Sequence, residues 1–545
     1  VYYRFFGDIL SAPALLGAHQ TGHVLESIRS LLSIDVVWLL VDVPFAAWLA
    51  IELNRAHAPE MPGRRRASIA IVSAALVILP GAAMSAPRVL ASTPLDQMFR
   101  DRAVAEQLGP FGYHAYDGWH YARATLFRPR ASGAQVEEVR AWFSHRAPLR
   151  SAAGPYRGVA AGRNLIVIQV ESLQDFAVDY RVAGQEVMPH LQRWTEDSVR
   201  FTNVTDQTSE GRTSDAEFTA MTSLLPLDHG AVAFRFPGHH YVGVPRVLAE
   251  HGYHTLSAVP FESGFWNRNV THPSYGFQQS LFEPDFVMTE QIGWGLNDHD
   301  FLQQMVPRLE QLPRPFAAWL ITLSLHHPFE DFPQRHKVLK LGALEGTSFG
   351  NYLHTMHFFD QALADFRAAL DRDGLLANSV VAIFGDHDAG FQHDRALADT
   401  IGIAPTDAGW ERADRVPFFV RVPAAGDGRS TPPGVRDLAA GQTDFAPTLL
   451  ALLGIDAAPL PYAGRNLLGA ADDPPLVRPY GDWLDRRHLF LAGTAADRGC
   501  FDLAAGVFAD RSACTDADAA ARLTRDIVRL VVTDDLQQRM RDALR

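Results

Sequence analysis

Four short apolar runs constrain this chain most: LIVIQV at 165–170, FAAWLITLSL at 316–325, VVAIFG at 380–385 and PFFVRV at 417–422. Each is continuous rather than alternating, and each is too short to cross a membrane as a helix. Strands of that kind are shielded on both faces, which is the environment of a central parallel sheet. Helical patterns lie between them. The clearest is 351–374, where Leu353, Phe359, Leu363, Phe366 and Leu370 recur at helical spacing and Gly374 supplies a stop. Strands alternating with helices predict an α/β fold with a doubly wound sheet.

The chain has 545 residues, more than one ordinary domain. Ahead of the α/β pattern stand two longer apolar runs, at 34–53 and 69–86. Each is near the ~20 residues that span a bilayer core. The first carries Asp35 and Asp42, and acidic groups inside a span face protein or a polar cavity rather than lipid. Arg55, Arg64, Arg65 and Arg66 lie between the two runs, and a short basic loop of this kind stays in the cytoplasm. Two transmembrane helices are therefore expected in a membrane region at 1–86, with further spans ahead of Val1. A connector with helices would occupy 87–160, a catalytic domain 161–470, and a C-terminal subdomain completing it 471–545. Everything after about residue 87 would lie outside the cytoplasm, as the periplasmic domain of a multi-pass inner-membrane protein.

Charge narrows the partners. The net charge of −13 argues against a nucleic acid, whose phosphate backbone demands a basic face. An acidic surface does not by itself identify a substrate. The chemistry has to be sought at the strand ends, because open α/β sheets bind ligands beyond the carboxyl ends of their strands. Glu171 and Ser172 follow the first run. His326 and His327 follow the second. Asp386, His387 and Asp388 follow the third. Taken singly, Glu171 could cap a helix and the others could be loop residues. Three strand ends delivering carboxylate and imidazole to one rim point instead to a metal site.

The segment TSEGRTSDAEFTAMTSLLP (208–226) reads as a loop entering a helix. A helix N-terminus suits a phosphate group, and a Thr hydroxyl there becomes a nucleophile when a metal or base activates it. The competing reading makes Thr213 or Ser214 an N-cap, with Glu217 completing a capping box.

Longer motifs add a resemblance. NLIVIQVESLQDF (164–176), EGRTSDAEF (210–218), FWNR (265–268), HHPF (326–329), NYLHTMHFFDQALADF (351–366), DGLLANSVVAIFGDHDAGF (373–391) and GQTDFAPTLLALLGID (441–456) occur in this order. YYRFFGDI near the start belongs with them. Together they resemble the lipoteichoic acid synthase and phosphoglycerol transferase family, within the alkaline-phosphatase/sulfatase superfamily. The resemblance implies a sulfatase-type fold and a Thr213 nucleophile. It implies metal ligands at Glu171, Asp386 and His387, with Thr213 completing the set, and manganese as the usual ion, magnesium or zinc being the alternatives. It assigns Trp266, Arg268 and His326 to the glycerophosphate. In VPFESGFWNR (259–268) the chain departs from the family's His-Gly and Asp pattern, and the resemblance implies Glu262 as the stand-in for that Asp. His393 is a further candidate on the rim.

The activity implied is transfer of glycerophosphate from a phosphatidylglycerol-like lipid in the membrane to an acceptor hydroxyl on a polyglycerolphosphate chain or a glycan, through a phospho-threonine intermediate. A phosphoethanolamine transferase or a phosphodiesterase on the same fold is the enzymatic alternative, and a catalytically silent membrane sensor or scaffold the non-enzymatic one. A sulfatase activity is disfavoured, because it needs a Cys or Ser in a C/S-x-P-S-R context and the loop here reads Thr-Ser-Asp.

The two cysteines, Cys500 and Cys514, lack metal-finger spacing. The expected topology puts them in an oxidising compartment, where a disulfide persists. FDL and VFA flank a turn at Ala504-Ala505-Gly506. A hairpin there would bring the ends within the ~4.4–6.8 Å Cα separation that a bridge requires.

Overall fold

The computed structural model describes residues 112–119, 130–424, 428–469, 474–493 and 498–544. The chain divides into two compact units, Val1–Arg128 and Pro129–Arg545. In the first, only the helical stretch 112–119 is described, so the spans expected at 34–53 and 69–86 lie outside the described residues. Among the described residues no helix is long and apolar enough to cross a membrane.

A nine-stranded sheet forms the centre of the second unit. In chain order its strands are β1 (Asn164–Val170), β2 (Val199–Thr205), β3 (His254–Ala258), β4 (Gln279–Leu281), β5 (Phe316–Ile321), β6 (Ser379–Gly385), β7 (Val416–Arg421), β8 (Gly434–Arg436) and β9 (Ala440–Gly441). Across the sheet they run β8-β2-β7-β6-β1-β5-β3-β4, with β9 also on β2. The three apolar runs β5, β1 and β6 lie side by side and parallel, so that Ile168 faces Leu320 on one side and Ile383 on the other. All seven residues of β1 and of β6 are buried.

The fourth run departs from the parallel expectation. β7 is antiparallel to both β6 and β2. A continuous apolar run reports burial on both faces and carries no information about direction. The reversal brings the start of β7 to the edge where β6 ends, since Phe418 pairs with Phe384.

Helices cover the sheet. In chain order the ones used below are α1 (Gly133–His145), α2 (Thr213–Thr222), α3 (Asp298–Gln311), α4 (Ser348–Arg372), α5 (Phe445–Leu452), α6 (Thr515–Thr533) and α7 (Gln537–Leu544). α4 is the helix expected from the 351–374 pattern. Thr347 caps its start by accepting from Gly350 N, and Gly374 with φ +70° follows its end. Met356, Phe359, Leu363 and Phe366 of α4 pack in one core cluster with Ile166, Ile168 and Leu320. Burial of each such side chain contributes about 1.5–3 kcal/mol.

Residues 133–160, expected as part of a connector, are fastened to this unit. Arg150 is fully buried and donates to the carbonyls of Ala457 (3.1 Å) and Phe143 (2.7 Å). The amides of Gly158 and Ala160 donate to Ala451 O and Leu452 O, both at 2.9 Å. At the other end of the chain, a five-stranded antiparallel sheet spans 476–508 and precedes α6 and α7. Gly499–Asp502 and Val507–Phe508 form its last hairpin. Cys500 and Cys514 are joined in a disulfide with a Cα separation of 5.9 Å. Cys514 lies beyond the hairpin, in the turn Arg511–Cys514, so the bridge closes the hairpin together with that turn.

Candidate active site

Three strand ends build the centre. β1 stops at Val170, and Glu171 follows, 1% exposed. β6 stops at Gly385, followed by the buried Asp386 and His387. Only glycine fits at 385, because a Cβ there would lie 1.9 Å from the Leu173 carbonyl oxygen. Backbone amides tie the two loops together. Ser172 N and His387 N both donate to Asp386 Oδ1 at 2.8 Å, and Asp386 N donates to Val170 O at 3.1 Å.

The third end belongs to β2, which the sequence reading did not identify as a strand. Its pattern VRFTNVT is interrupted by Arg200, Thr202 and Asn203, and two of its positions are only half-buried. The loop after it leads into α2, whose first residue is Thr213. Asp215 shapes that loop by accepting from Ser209 N (3.0 Å) and Gly211 N (2.9 Å). A Cβ on Gly211 would lie 2.2 Å from Asp215 Oδ1. Burial raises the Asp215 carboxyl to about 7, against the pull of those two amides. The capping-box alternative does not hold. Arg212, at φ 42°, is the residue preceding the helix, and Glu217 turns to other partners.

The Thr213 hydroxyl converges on the other two loops. Its Oγ1 lies 3.1 Å from Glu171 Oε2 and 3.3 Å from His387 Nε2. Gln169 holds the backbone beneath it by donating from Nε2 to Thr213 O at 3.2 Å. Glu171, Asp386 and His387 each offer one ligand atom, all within 4.8 Å of one another. Thr213 therefore meets Glu171 and His387 directly, and Asp386 lies in the same cluster of ligand atoms as those two.

These groups fit a divalent cation. Asp386 Oδ2 is buried and has no hydrogen-bond partner among the described residues. Burial, and then the neighbouring Glu171 charge, push the Asp386 carboxyl well above its ordinary range. Two buried carboxylates side by side are costly unless a cation compensates them. His387 Nδ1 lies 2.7 Å from the Asp388 carbonyl oxygen, which can only accept, and 3.1 Å from Arg212 Nη2, which can only donate; the shorter contact favours the proton on Nδ1, with the Nε2 lone pair facing the centre. Burial and the nearby Arg212 lower the His387 imidazole to about 4, keeping it neutral near pH 7. Two carboxylates, a hydroxyl and an imidazole, with no thiolate, make a donor set for a hard or borderline ion.

Arg212 and Asp388, to which the sequence assigns no role, border the cluster as a pair. Arg212 Nη1 donates to Asp388 Oδ2 at 2.8 Å and Nη2 to Asp388 O at 2.7 Å. Burial opposes ionisation of Asp388, yet this ion pair holds its carboxyl well below the ordinary range. The residue before Thr213 is thereby clamped to the loop that carries His387. Adjacency to Thr213 and His387 was the available signal, and it does not reveal a pairing across 176 positions.

Of the remaining candidates, Arg268 is fastened to α2. Arg268 is 1% exposed and donates to Glu217 Oε1 from Nε at 3.0 Å and from Nη2 at 2.6 Å. His272 Nε2 meets Glu217 Oε2 at 2.9 Å. Trp266 is half-buried against Phe234 and Phe265, with ring centroids at 5.0 and 5.5 Å. Trp266 and Asn267 take successive left-handed backbones, φ 54° and 49°, a strain found at functional loops. Glu262 is exposed. His326 stacks on Trp294 with centroids 3.6 Å apart. His393 stacks on Trp410 at 4.3 Å and places Nε2 3.3 Å from Asp414 Oδ2, outside the cluster of ligand atoms.

Comparisons with known proteins bear on both units. Residues 163–455 match the Sulfatase family model, and residues 1–129 match the model of the lipoteichoic acid synthase N-terminal domain. Lipoteichoic acid synthase 2 of Bacillus subtilis is 30% identical over 514 residues, covering 91% of this chain and 76% of that protein. Lipoteichoic acid synthase of Staphylococcus aureus is 28% identical over 504 residues, covering 90% and 76%. Among solved structures, the lipoteichoic acid synthase LtaP from Listeria monocytogenes superposes with a TM-score of 0.64 at 23% identity, covering 72% of this chain and 98% of its own. A protein of the alkaline phosphatase superfamily from Vibrio parahaemolyticus gives 0.57 at 20% identity, covering 75% and 99%. These two likenesses concern the fold.

Proposed function

The chain belongs to the lipoteichoic acid synthase family of sulfatase-type enzymes, and on that footing we propose that it transfers glycerophosphate from a phosphatidylglycerol-like lipid to an acceptor hydroxyl, with Thr213 as nucleophile. The observation that carries this reading is the convergence of the Thr213 hydroxyl on Glu171 Oε2 and His387 Nε2 at 3.1 and 3.3 Å.

Glu171, Thr213, Asp386 and His387 would hold the divalent ion, which when bound lowers the pKa of the hydroxyl and offsets phosphoryl charge. The oxygen-rich donor set favours manganese or magnesium over zinc. Glu171 Oε2 is placed to take the Thr213 proton. The Thr213 oxygen then forms a bond to phosphorus while the bond from phosphorus to the diacylglycerol oxygen breaks, and that oxygen leaves with the proton that Glu171 took from Thr213. An acceptor hydroxyl then attacks phosphorus and breaks the phosphothreonine bond, and the proton it gives up passes through Glu171 to the Thr213 oxygen. Arg268, Trp266 and His326 hold the headgroup, with Glu262 and His393 as outer candidates. The acceptor is a polyglycerolphosphate chain or a glycan. Residues 1–129 anchor the enzyme in the cell membrane and the catalytic unit lies outside the cytoplasm, in keeping with the match to the lipoteichoic acid synthase N-terminal domain.

The test is to incubate the full chain, in vesicles, with phosphatidylglycerol labelled in its headgroup glycerol. Label should appear first on Thr213 and then on an added glycerophosphate or glycan acceptor, with release of diacylglycerol. Label released only as free glycerophosphate would make the protein a phosphodiesterase. Turnover of phosphatidylethanolamine alone would make it a phosphoethanolamine transferase.

A further inference from the structure

His326 owes its setting to a short hairpin that none of the assigned site residues belongs to. The hairpin pairs Gln291–Ile292 with Gly295–Leu296 and carries Gly293 and Trp294 at its tip. Both glycines flanking Trp294 are held by close backbone approach. A Cβ on Gly293, at φ +65°, would sit 2.1 Å from the Leu323 carbonyl oxygen. A Cβ on Gly295 would sit 2.4 Å from the Pro260 carbonyl oxygen. Leu323 lies in the loop that follows β5 and leads to His326. Pro260 lies in the loop that follows β3 and leads to Trp266. The tip is thus wedged between the two loops that carry the headgroup candidates.

A second fastening lies just beyond it. Asp298, the first residue of α3, accepts from Leu323 N (2.9 Å) and Ser324 N (3.1 Å) through Oδ1, and its own amide donates to Ser324 Oγ at 2.8 Å. The result is a parallel stack of Trp294 on His326, with ring centroids 3.6 Å apart and planes 26° apart. Phe265 meets the same indole edge-on at 5.3 Å.

The stack matters because of the tautomer. His326 Nδ1 lies 2.5 Å from the His327 carbonyl oxygen, an acceptor only, so Nδ1 carries the proton and Nε2 keeps the lone pair. That lone pair lies in the plane of the ring. Fixing the plane fixes the direction in which His326 can accept a hydrogen bond from a hydroxyl.

We propose that Trp294 is a positioning residue for the transfer reaction: it locks the ring plane of His326. This rests on the reading that His326 contacts the transferred glycerophosphate or the hydroxyl that receives it. Trp294 makes no claim on the reacting atoms itself. Its contribution passes through His326, so losses at the two positions should overlap rather than multiply.

The test is a double-mutant cycle on the full chain in phosphatidylglycerol vesicles, with kcat, KM, bound metal and Tm measured for each protein. Trp294→Ala and His326→Ala should each lower kcat/KM more than tenfold with metal content unchanged, and the double variant should be no worse than His326→Ala. Trp294→Phe, which still stacks, should keep most of the activity, whereas Trp294→Leu, apolar but unable to stack, should not. A Trp294→Ala enzyme within twofold of wild type, or losses that multiply in the double variant, would overturn the proposal. Should Trp294→Ala fail to fold, equal activities of the Phe and Leu variants would overturn it. A His326→Ala enzyme with wild-type kinetics would remove the assignment of His326 and the proposal with it. A disabled His326→Ala beside an unaffected Trp294→Ala would remove only the proposal.

Discussion

Glu217 holds Arg268 in a buried ion pair, Nη2 to Oε1 at 2.6 Å, from a position one helical turn beyond Thr213 on α2. Both side chains are 2% exposed. The pair therefore joins the helix that presents the nucleophile to the loop that presents the headgroup candidates, and His272 closes it from the other side at 2.9 Å. Removing Glu217 would leave a guanidinium buried without its partner, which costs ~3–5 kcal/mol. Urea unfolding of Glu217→Ala should show a loss of that size, and Arg268→Ala a similar one.

The same pair sets an acid limit. Burial alone would raise the Glu217 carboxyl, but Arg268 and His272 win and hold it at about 2, below its ordinary 4.5. A carboxylate whose folded pKa is depressed contributes stability above its unfolded pKa and loses it as pH falls through the folded value. The window is therefore from pH 4.5 down to about 2. Acid titration of unfolding should steepen across that window in the wild type, and the steepening should be missing from Glu217→Gln. A Glu217→Gln protein with an unchanged acid profile would contradict the assignment.

Asp386 behaves in the opposite sense, because its carboxyl is raised by burial and by Glu171. Without a cation, its charge opposes folding near neutral pH, and lowering the pH relieves that cost. Chelator-stripped Asp386→Asn should accordingly be more stable than stripped wild type, while binding manganese more weakly. Manganese at about 100 times its Kd should stabilise the wild type by about 2.7 kcal/mol. Calorimetry of the two proteins with and without the ion checks both signs. Zinc alone restoring activity to stripped protein would count against the oxygen-rich donor set.

Thr213→Ala removes the proposed nucleophile without opening a large cavity. We expect transfer to fall at least a thousandfold, with Tm within a few degrees of wild type, and no covalent adduct in mass spectra after incubation with phosphatidylglycerol. Full turnover by this variant would end the phosphothreonine mechanism.

How much of this was legible beforehand follows from the physics of each feature. Continuous apolar runs reported β1, β5 and β6, and the residues after β1 and β6, Glu171, Asp386 and His387, come together as a cluster able to hold a metal ion. The run of β7 was equally visible, but burial is indifferent to strand direction, so its reversal was not. β2 was hidden because Arg200, Thr202 and Asn203 break its pattern, although Arg200 is buried in ion pairs with Asp175 and Asp179. Pairings such as Arg212 with Asp388, Glu217 with Arg268 and Trp294 with His326 depend on three-dimensional approach. No spacing rule within one element contains them.

The disulfide gives the last prediction. Cys500 and Cys514 are 14 positions apart and close a loop that contains the final hairpin and the turn before α6. Both cysteines are 1% exposed, so the bridge is sheltered from reductants in the folded protein. Closing a loop of about 15 residues contributes roughly 3 kcal/mol in the chain-entropy model. The loop lies in the five-stranded sheet, apart from Thr213 and its partners, so the bridge should govern stability and leave chemistry alone. Cys500→Ser/Cys514→Ser should therefore unfold at lower urea with kcat and KM within twofold of wild type. Non-reducing peptide mapping of protein taken from its native membrane checks the pairing directly. Two free thiols there would contradict the bridge and would also weaken the placement of this unit outside the cytoplasm, because a disulfide persists where the compartment is oxidising.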